Sequence, residues 1–467
     1  MNHRMMRHPD RSAGFGLSRR DLLRTAIAAS CGAGVAPWFS QFALAAGEQS
    51  KATQRHCILL WMTGGPSQLD TFDLKPGHEN GGEFKEIDTN VPGVKFSEHL
   101  PKLATMTEHL AILRGLSTKE GDHGRGTHLM HTGFAPGVGG VRYPTLGSVV
   151  SKELMLGETE LPKFVSVDPF RLFNDAAFSP GFLGPAYAPL TVVAEQAQTP
   201  QLTAEDVANG TVPTGSRFAR LAVDDLRPAS LESNRAKGRL DLLRSFQTEF
   251  AQAHADRSTA AHQTVYDHAI RLMNSDAGRA FDLSEESDDV REKYGVGRFG
   301  QGCLLARRLV ERGVPFVEVN LGSPDGGGVG WDTHADNFNA VKALSGELDV
   351  AWSTLMTELK ERGLLERTTI VWMGEFGRTP KINGMTGRDH FPDAWTCVLA
   401  GGGIKGGQAY GKSSDDGMTV EEGKVSVGDV LTTICQATGI DPTISNISDN
   451  GRPIKIAEGM PIEAVLA

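Results

Sequence analysis

The sequence has little cysteine, few aromatic residues and no long apolar run in its main part, and each shortage excludes a class of protein. Its 467 residues include 5 cysteines, none in a Cys-x-x-Cys pair, so a disulfide framework is not indicated. Beyond residue 45 there is no stretch of about 18 consecutive apolar residues, which excludes a polytopic membrane protein. The formal net charge is -10 and the basic residues form no single patch, which argues against nucleic-acid binding. Aromatic residues make up only 7% against 55 glycines, which predicts many tight loops around a modest aromatic core.

Residues 1–45 have the composition of an export signal. They contain six arginines and no lysine, then an apolar, alanine-rich run and a small-residue pattern at 43–45. Arg19 and Arg20 resemble a twin-arginine signal, which the export machinery recognises through a receptor. We therefore expect cleavage near Ala45, a periplasmic or secreted protein, and no permanent membrane anchor. A single membrane anchor is the alternative, and the glycines and proline inside the apolar run argue against it.

Apolar runs and amphipathic stretches alternate through residues 46–467, which predicts one α/β domain. The expected architecture is a three-layer sandwich with a mostly parallel central sheet. The predicted strands are 56–62, 110–113, 164–167, 314–321, 369–373 and 394–399, and the predicted helices are 299–312, 336–361 and 427–438. Residues 201–288 are rich in alanine and charged residues, which indicates a mostly helical insertion.

Polar residues with metal-binding chemistry directly follow or precede several predicted strands. Ligands of open parallel sheets bind at the carboxyl ends of the strands, so these distant residues are expected to meet there. A mixture of carboxylates and imidazoles suits Zn, Mn or a similar divalent ion. The candidate metal ligands are Asp70, Asp332, His334, Glu375 and His390.

Three arginines near these residues are candidates to hold an anionic ester, because guanidinium matches the geometry of phosphate and sulfate. We expect Arg125 and Arg388 to bind the substrate and Arg378 to stabilise developing charge. A surface ion pair is the alternative for each, and for Arg388 it carries at least equal weight.

Five segments of the chain resemble, in the same order, the exported family called domain of unknown function 1501. They read GGPSQLDTFD, GQGCLLARRLVERGVPFVEV, GWDTHADNF, GEFGRTP and GRDHFP. That family more distantly resembles the alkaline phosphatase and sulfatase superfamily, on residues 346–377, 425–442 and 131–136. The resemblance implies an alkaline phosphatase-like or sulfatase-like fold. It also implies a metal-dependent hydrolase of small phosphate or sulfate esters or of sulfated or phosphorylated polysaccharides, with one or two metal ions.

Carried over residue by residue, the resemblance leaves one metal position intact. Asp332 and His334 match an Asp and His pair at a shorter spacing, and His390 matches a later lone histidine. The second position is altered, because the Asp of the first strand falls on Thr63. Asp70 or Asp73 would then have to replace it from the following loop.

The remaining matches put the usual chemistry in doubt. The second Asp–His pair of the superfamily falls on Glu375 and Phe376, which keeps a carboxylate and loses an imidazole. The nucleophile position falls on His123, so no covalent Ser or Thr intermediate is implied. His123 is a candidate nucleophile, a base for water attack or a further metal ligand, and we slightly favour the ligand. Alternatively, His123, His128 and His131 cap a helix and fill a polar pocket.

Three functions stay open at this point. The first is the exported ester hydrolase, and the second is a catalytically degenerate protein of the same fold that binds a metal or another ligand. The third is a redox cofactor protein, which only the export route favours, since no Gly-x-Gly-x-x-Gly follows the first strand. Turnover of aryl phosphate and aryl sulfate esters separates the first two.

Overall fold

The apolar runs predicted as strands form the middle of a nine-stranded sheet in the computed structural model. The structure describes residues 54–154, 159–195, 217–223, 257–323 and 328–467, and residues 235, 238–239, 241–243 and 245–247. The strands are β1 (His56–Met62), β2 (Glu86–Asp88), β3 (Lys95–Ser97), β4 (Leu110–Leu116), β5 (Phe164–Val167), β6 (Leu190–Glu195), β7 (Arg220–Ala222), β8 (Phe316–Leu321), β9 (Thr368–Met373), β10 (Gly377–Arg378), β11 (His390–Phe391), β12 (Trp395–Gly401), β13 (Gln408–Tyr410), β14 (Lys412–Ser413), β15 (Val420–Glu422), β16 (Ser445–Ile447) and β17 (Pro453–Lys455).

Helices flank the sheet and connect its strands. They are α1 (Pro101–Ala104), α2 (His123–Thr132), α3 (Leu146–Glu153), α4 (Arg257–Asn274), α5 (Asp288–Tyr294), α6 (Arg298–Glu311), α7 (Asn337–Glu361) and α8 (Val427–Ala437). Short 3-10 helices lie in the loops, among them Gln68–Asp70 after β1 and Asp175–Phe178 after β5.

The main sheet has the order β13-β4-β12-β9-β1-β8-β5-β6-β7. β12 runs antiparallel to β4 and β9, and β7 runs antiparallel to β6. The other neighbouring strands pair in parallel. The prediction of a mostly parallel central sheet is therefore confirmed, and the central strand β1 is buried along its whole length, as expected for a sheet covered on both faces.

Alternate side chains of β1 enter two different cores, which makes the structure three layers deep. Ile58 and Leu60 pack into the core that includes apolar residues of α6 and α7. Leu59 and Trp61 pack into the opposite core, which includes residues of α3 and α8. The alternation follows from the two-residue period of a strand, since successive side chains point to opposite faces.

The structure differs from the sequence prediction at the edges of the sheet. β6, β7 and β13 were not predicted, and β7 lies inside the segment 201–288, which was expected to be helical. The described part of that segment otherwise contains α4 and short 3-10 helices, and much of the rest lies outside the described residues, as does the leader 1–45. Within the described residues, no helix is long and apolar enough to cross a membrane.

Candidate metal centre

The predicted site residues come from four connections that meet at one edge of the sheet. His123 is the first residue of α2, which follows β4, and Asp122 caps this helix by accepting a hydrogen bond from the main-chain N–H of Arg125. Asp332 follows β8 and Glu375 follows β9, both at carboxyl ends of parallel strands. His390 lies in β11, just before the antiparallel strand β12, whose amino end reaches the same edge.

The loop after β1 packs unusually close to the segment that carries Asp332. Gly64 has φ +114°, and a Cβ built there would lie 2.4 Å from the main-chain N of Asp332. Only glycine adopts this conformation without strain and leaves room for the neighbouring chain. Gly64 thus allows the ends of β1 and β8 to place their loops side by side.

Three imidazole Nε2 atoms converge on one carboxylate oxygen. Asp332 Oδ1 lies 3.3 Å from Nε2 of His123, 3.0 Å from that of His334 and 3.2 Å from that of His390. The Nε2 atoms of His334 and His390 are themselves 3.0 Å apart. Among the described residues, His123, Asp332 and His390 form a group whose potential ligand atoms all lie within 4.8 Å of one another.

The second ring nitrogen of each histidine is held by an acceptor outside this group. The three contacts are His123 Nδ1 to Glu375 Oε1 at 2.6 Å, His334 Nδ1 to Asp389 Oδ1 at 2.8 Å, and His390 Nδ1 to the Gly121 carbonyl at 2.8 Å. Carbonyl and carboxylate oxygens only accept, so each Nδ1 carries the proton and donates it. In the neutral imidazoles every Nε2 then presents a lone pair to the centre, which is the arrangement of metal-ligating histidines.

The carboxylates give the centre a strong preference for positive charge. Burial alone would lower the pKa of His123, but the carboxylates of Asp332 and Glu375 outweigh it and raise the pKa to about 9. Burial would likewise raise the pKa of Asp332, yet its contacts with His123, His390 and Arg378 hold that pKa well below its usual range. Asp332 therefore stays ionised and attracts a proton or a cation to the imidazoles around it.

The residues present fit a divalent ion. Nε2 of His123 is buried and makes no hydrogen bond of acceptable geometry within the described part of the chain. Imidazole nitrogens and a carboxylate oxygen suit zinc and related ions. His123, Asp332 and His390 can thus hold one ion, and Nε2 of His334 lies close enough to Asp332 and His390 to join them. Glu375, Asp389 and Gly121 orient the imidazoles from behind.

Glu375 occupies the outer position instead of the ligand position expected from the sequence. Its Oε1 accepts hydrogen bonds from His123 and from the main-chain N–H of Gly64, at 2.9 Å. Its side chain is fully buried, and Oε2 has no hydrogen-bond partner among the described residues. Its main contact with the centre is therefore through the imidazole of His123.

Arg378 holds Asp332 in position, and its guanidinium is directed at protein acceptors. Its buried guanidinium lies 2.5 Å from Asp332 Oδ1 and donates to the carbonyls of Gly64 and Gly65. Nη1 donates to the Arg388 carbonyl at 3.3 Å. The expectation that Arg378 stabilises developing charge stays a prediction, and the structure directs its N–H groups at protein acceptors.

Asp70 and Arg388 bind each other and do not join the centre. Arg388 Nε and Nη2 lie 2.7 and 3.0 Å from the two carboxylate oxygens of Asp70, and both side chains are fully buried. Asn337 donates a further hydrogen bond to Asp70, at 2.8 Å. The expected metal ligand and the expected substrate-binding arginine thus form a buried ion pair beside the site.

Arg125, His128 and His131 also lie outside the cluster. The side chain of Arg125 is exposed and pairs with Glu120 at 2.6 Å. His128 and His131 donate through Nδ1 to the carbonyls of Phe134 and Thr127. The helix-and-pocket alternative therefore describes His128 and His131, and His123 alone of the three reaches the centre.

Sequence reasoning missed Asp389 and Phe173. Asp389 directly precedes His390 in the segment GRDHFP, and its position beside a candidate ligand was the available signal. Phe173 stacks on the ring of His123, with centroids 4.3 Å apart and an angle of 3° between the planes. No pattern in the sequence indicates that contact, because Phe173 lies 50 residues further along the chain in an irregular loop.

Residues 54–466 match the model of the family described as protein of unknown function DUF1501, and the chain belongs to this family. No curated protein matches the sequence.

Several solved structures are similar in outline. The PsFucS1 sulfatase from Pseudoalteromonas sp. is 12% identical with a TM-score of 0.35, over 87% of this chain and 72% of that one. The lipoteichoic acid synthase LtaP from Listeria monocytogenes is 9% identical with a TM-score of 0.34, over 87% and 75%. A mutant TAB5 alkaline phosphatase with bound Mg is 11% identical with a TM-score of 0.36, over 83% and 99%.

Proposed function

We propose that this protein is an exported, metal-dependent hydrolase of phosphate or sulfate esters. The observation that carries the proposal is the inward convergence of three imidazole Nε2 atoms on Asp332, with each Nδ1 held by an outer acceptor. A divalent ion bound there would polarise an ester oxygen and make water a nucleophile near neutral pH. That chemistry supplies what the chain lacks at the position matched to the superfamily nucleophile, where His123 replaces a hydroxyl or thiol.

Once a bound divalent ion offsets the negative charge of the centre, an anionic substrate can enter from the side of His334. The side chains of His123, His390 and His334 are 12%, 28% and 41% exposed, so the centre opens toward His334. Helix α2 begins at His123, and the partial positive charge of a helix N-terminus attracts anions. Phosphate and sulfate esters, free or on a polysaccharide, meet both conditions.

In this proposal, the side chains around the centre orient the metal-binding residues and shield them from water. Glu375 fixes the ring of His123 in its plane, Phe173 covers one face of that ring, and Arg378 holds Asp332 against the loop after β1. These contacts keep the inward-facing atoms in place before a substrate arrives, which lowers the reorganisation that a reaction requires.

A catalytically degenerate protein that binds a metal or another ligand is the second candidate. The observation that favours it is the engagement of Arg378 and Arg388, both fully buried and bonded to protein acceptors. Neither guanidinium is presented to a substrate, and a phosphate or sulfate ester would have to bind without them. Catalytic turnover separates the two candidates.

The test compares the wild-type chain with the double variant Asp332→Ala/His334→Ala. Metal content is measured by mass spectrometry of purified protein, and hydrolysis is measured with an aryl phosphate and an aryl sulfate. The expected result is loss of the bound ion together with any hydrolysis, because two inward-facing ligands are removed. A matched control is Glu108→Ala/His109→Ala, which removes a carboxylate and imidazole pair 3.7 Å apart outside the centre.

Each outcome decides between the candidates. A double variant that retains full metal content contradicts the assignment of the centre. A wild-type protein that binds metal and hydrolyses neither ester leaves the binding protein as the function. Hydrolysis lost in the double variant and kept in the control supports the hydrolase.

A further inference from the structure

The segment Phe170–Phe173 lies against the metal centre. It follows β5, whose carboxyl end points to the same edge of the sheet as those of β1 and β8. The ring of Phe173 stacks on His123, and the ring of Phe170 meets Phe173 edge-on, with centroids 4.9 Å apart and an angle of 75°. Two half-buried aromatic rings therefore lie in contact beside a candidate metal ligand.

The main chain of this segment is anchored to the first turn of α2. Asn174 Nδ2 donates to the carbonyl of Gly124 at 2.9 Å. A Cβ on Gly124 would lie 2.7 Å from the carbonyl oxygen of Phe173, so glycine is needed for this close approach. Arg171 pairs with Asp175 at 3.3 Å on the outer side. The segment thus has a fixed position relative to His123.

Leu172 stands in this anchored segment with its side chain in water. It is 88% exposed, a larger fraction than any other large apolar residue in the described part of the chain. A single exposed leucine is common on protein surfaces. Leu172 differs because the next residue, Phe173, stacks on a candidate ligand and Asn174 anchors the segment to α2.

We propose that Leu172 and Phe173 form an apolar subsite for the leaving group of the ester. The substrate class is then a phosphate or sulfate ester of an aryl alcohol or another alcohol with an apolar ring, in preference to an ester of a small alkyl alcohol. This inference rests on the proposed function, because it assigns the other half of the same substrate. The apolar ring would cover Leu172 while the anionic group faces the imidazoles.

The test measures binding of two non-hydrolysable analogues to the zinc-loaded protein by calorimetry. Benzylphosphonate carries the ring and ethylphosphonate lacks it, and both present the same anionic group. Covering roughly 50 Å2 of apolar surface corresponds to about ten-fold in Kd, so the wild type is expected to bind benzylphosphonate about ten-fold more tightly. Leu172→Ala is expected to reduce that preference to about three-fold, since part of the contact is lost.

The control variant is Ile447→Ala, which truncates another exposed apolar residue, 59% exposed, in the ribbon of β16 and β17. It is expected to keep the wild-type preference. A Leu172→Ala protein with the unchanged wild-type preference overturns the proposal, and so does a wild type that binds the two analogues equally or binds neither. Binding is read without turnover, so a protein that prefers benzylphosphonate but hydrolyses no ester contradicts the hydrolase function and leaves the subsite standing.

Discussion

His56 is expected to make the stability of the fold depend on pH, because it is a buried titratable group. It is the first residue of β1, it is 2% exposed, and its Nδ1 donates to the carbonyl of Val314 at 2.9 Å. Burial lowers its pKa from 6.5 to about 4, because the charged ring would lose its hydration, although the bond to Val314 acts in the opposite direction. Folded protein therefore keeps this imidazole neutral at pH values where the unfolded chain protonates it.

The sign and size of the effect follow from this difference. Below pH 6.5 the unfolded chain protonates His56, whereas the folded chain keeps it neutral down to about pH 4. The free energy of unfolding therefore falls as the pH drops from 6.5 toward 4. At pH 5 the loss attributable to His56 amounts to about 2 kcal/mol. Well above pH 6.5 the imidazole is neutral in both states and does not change the free energy of unfolding.

The variant His56→Asn removes the titrating group and keeps a side-chain N–H for Val314. We expect the decrease in unfolding free energy between pH 7.5 and pH 5, measured with urea, to be about 2 kcal/mol smaller in the variant than in the wild type. His109→Asn, which removes a half-buried imidazole outside the main sheet, serves as the control. Equal pH dependence of the wild type and His56→Asn would refute the reasoning.

Three further predictions concern other parts of the chain. Burial raises the pKa of Glu347 to about 7, so the free energy of unfolding of the wild type falls as the pH rises from about 4.5 to 7. Glu347→Gln should make this fall smaller in urea titrations, and an unchanged pH dependence contradicts the prediction. Arg388→Met leaves the buried carboxylate of Asp70 without its ion-pair partner and should lower the free energy of unfolding by about 3–5 kcal/mol. The metal content of the folded variant should equal that of the wild type, and an unchanged unfolding midpoint contradicts the importance of the pair. Changing Arg19 and Arg20 to Lys should block export of a tagged chain, and undiminished export would exclude the twin-arginine route.

The central strands could be predicted from the sequence because they are covered on both faces. β1 and β9 therefore contain continuous apolar runs, whereas β8 alternates apolar residues with the buried Glu318 and Asn320, and the buried lengths of all three agree closely with the predicted ones. The edge strands carry no such signal. β7 has one exposed and two half-buried residues, and β13 is equally short and half-buried, so neither shows a run or an alternation long enough to detect.

The candidate ligands could be predicted from their positions at strand ends, but the role of each carboxylate could not. Asp70, Asp332 and Glu375 follow strands in similar ways, and each has a different partner. Asp332 faces three imidazoles, Glu375 lies behind one of them, and Asp70 meets a buried arginine. These differences depend on which side chain a distant part of the chain places beside each carboxylate. Arg388, for example, lies 318 positions from Asp70 in the sequence. The spacing of residues along the chain does not predict that contact.

The charges around the centre favour one divalent ion over two. Asp332, Glu375 and Asp389 are carboxylates and Arg378 is a guanidinium. An ion bound to the imidazoles displaces the proton of His123, so the three imidazoles are then neutral and the protein groups carry a formal charge of -2. Asp70 and Arg388 cancel each other and leave this count unchanged. A single divalent ion neutralises the centre, whereas a second ion would need the two negative charges of a substrate to balance it. A phosphate monoester brings two charges and a sulfate ester only one, so a metal content that rises from one to two ions per chain on adding a phosphonate would point to phosphate esters.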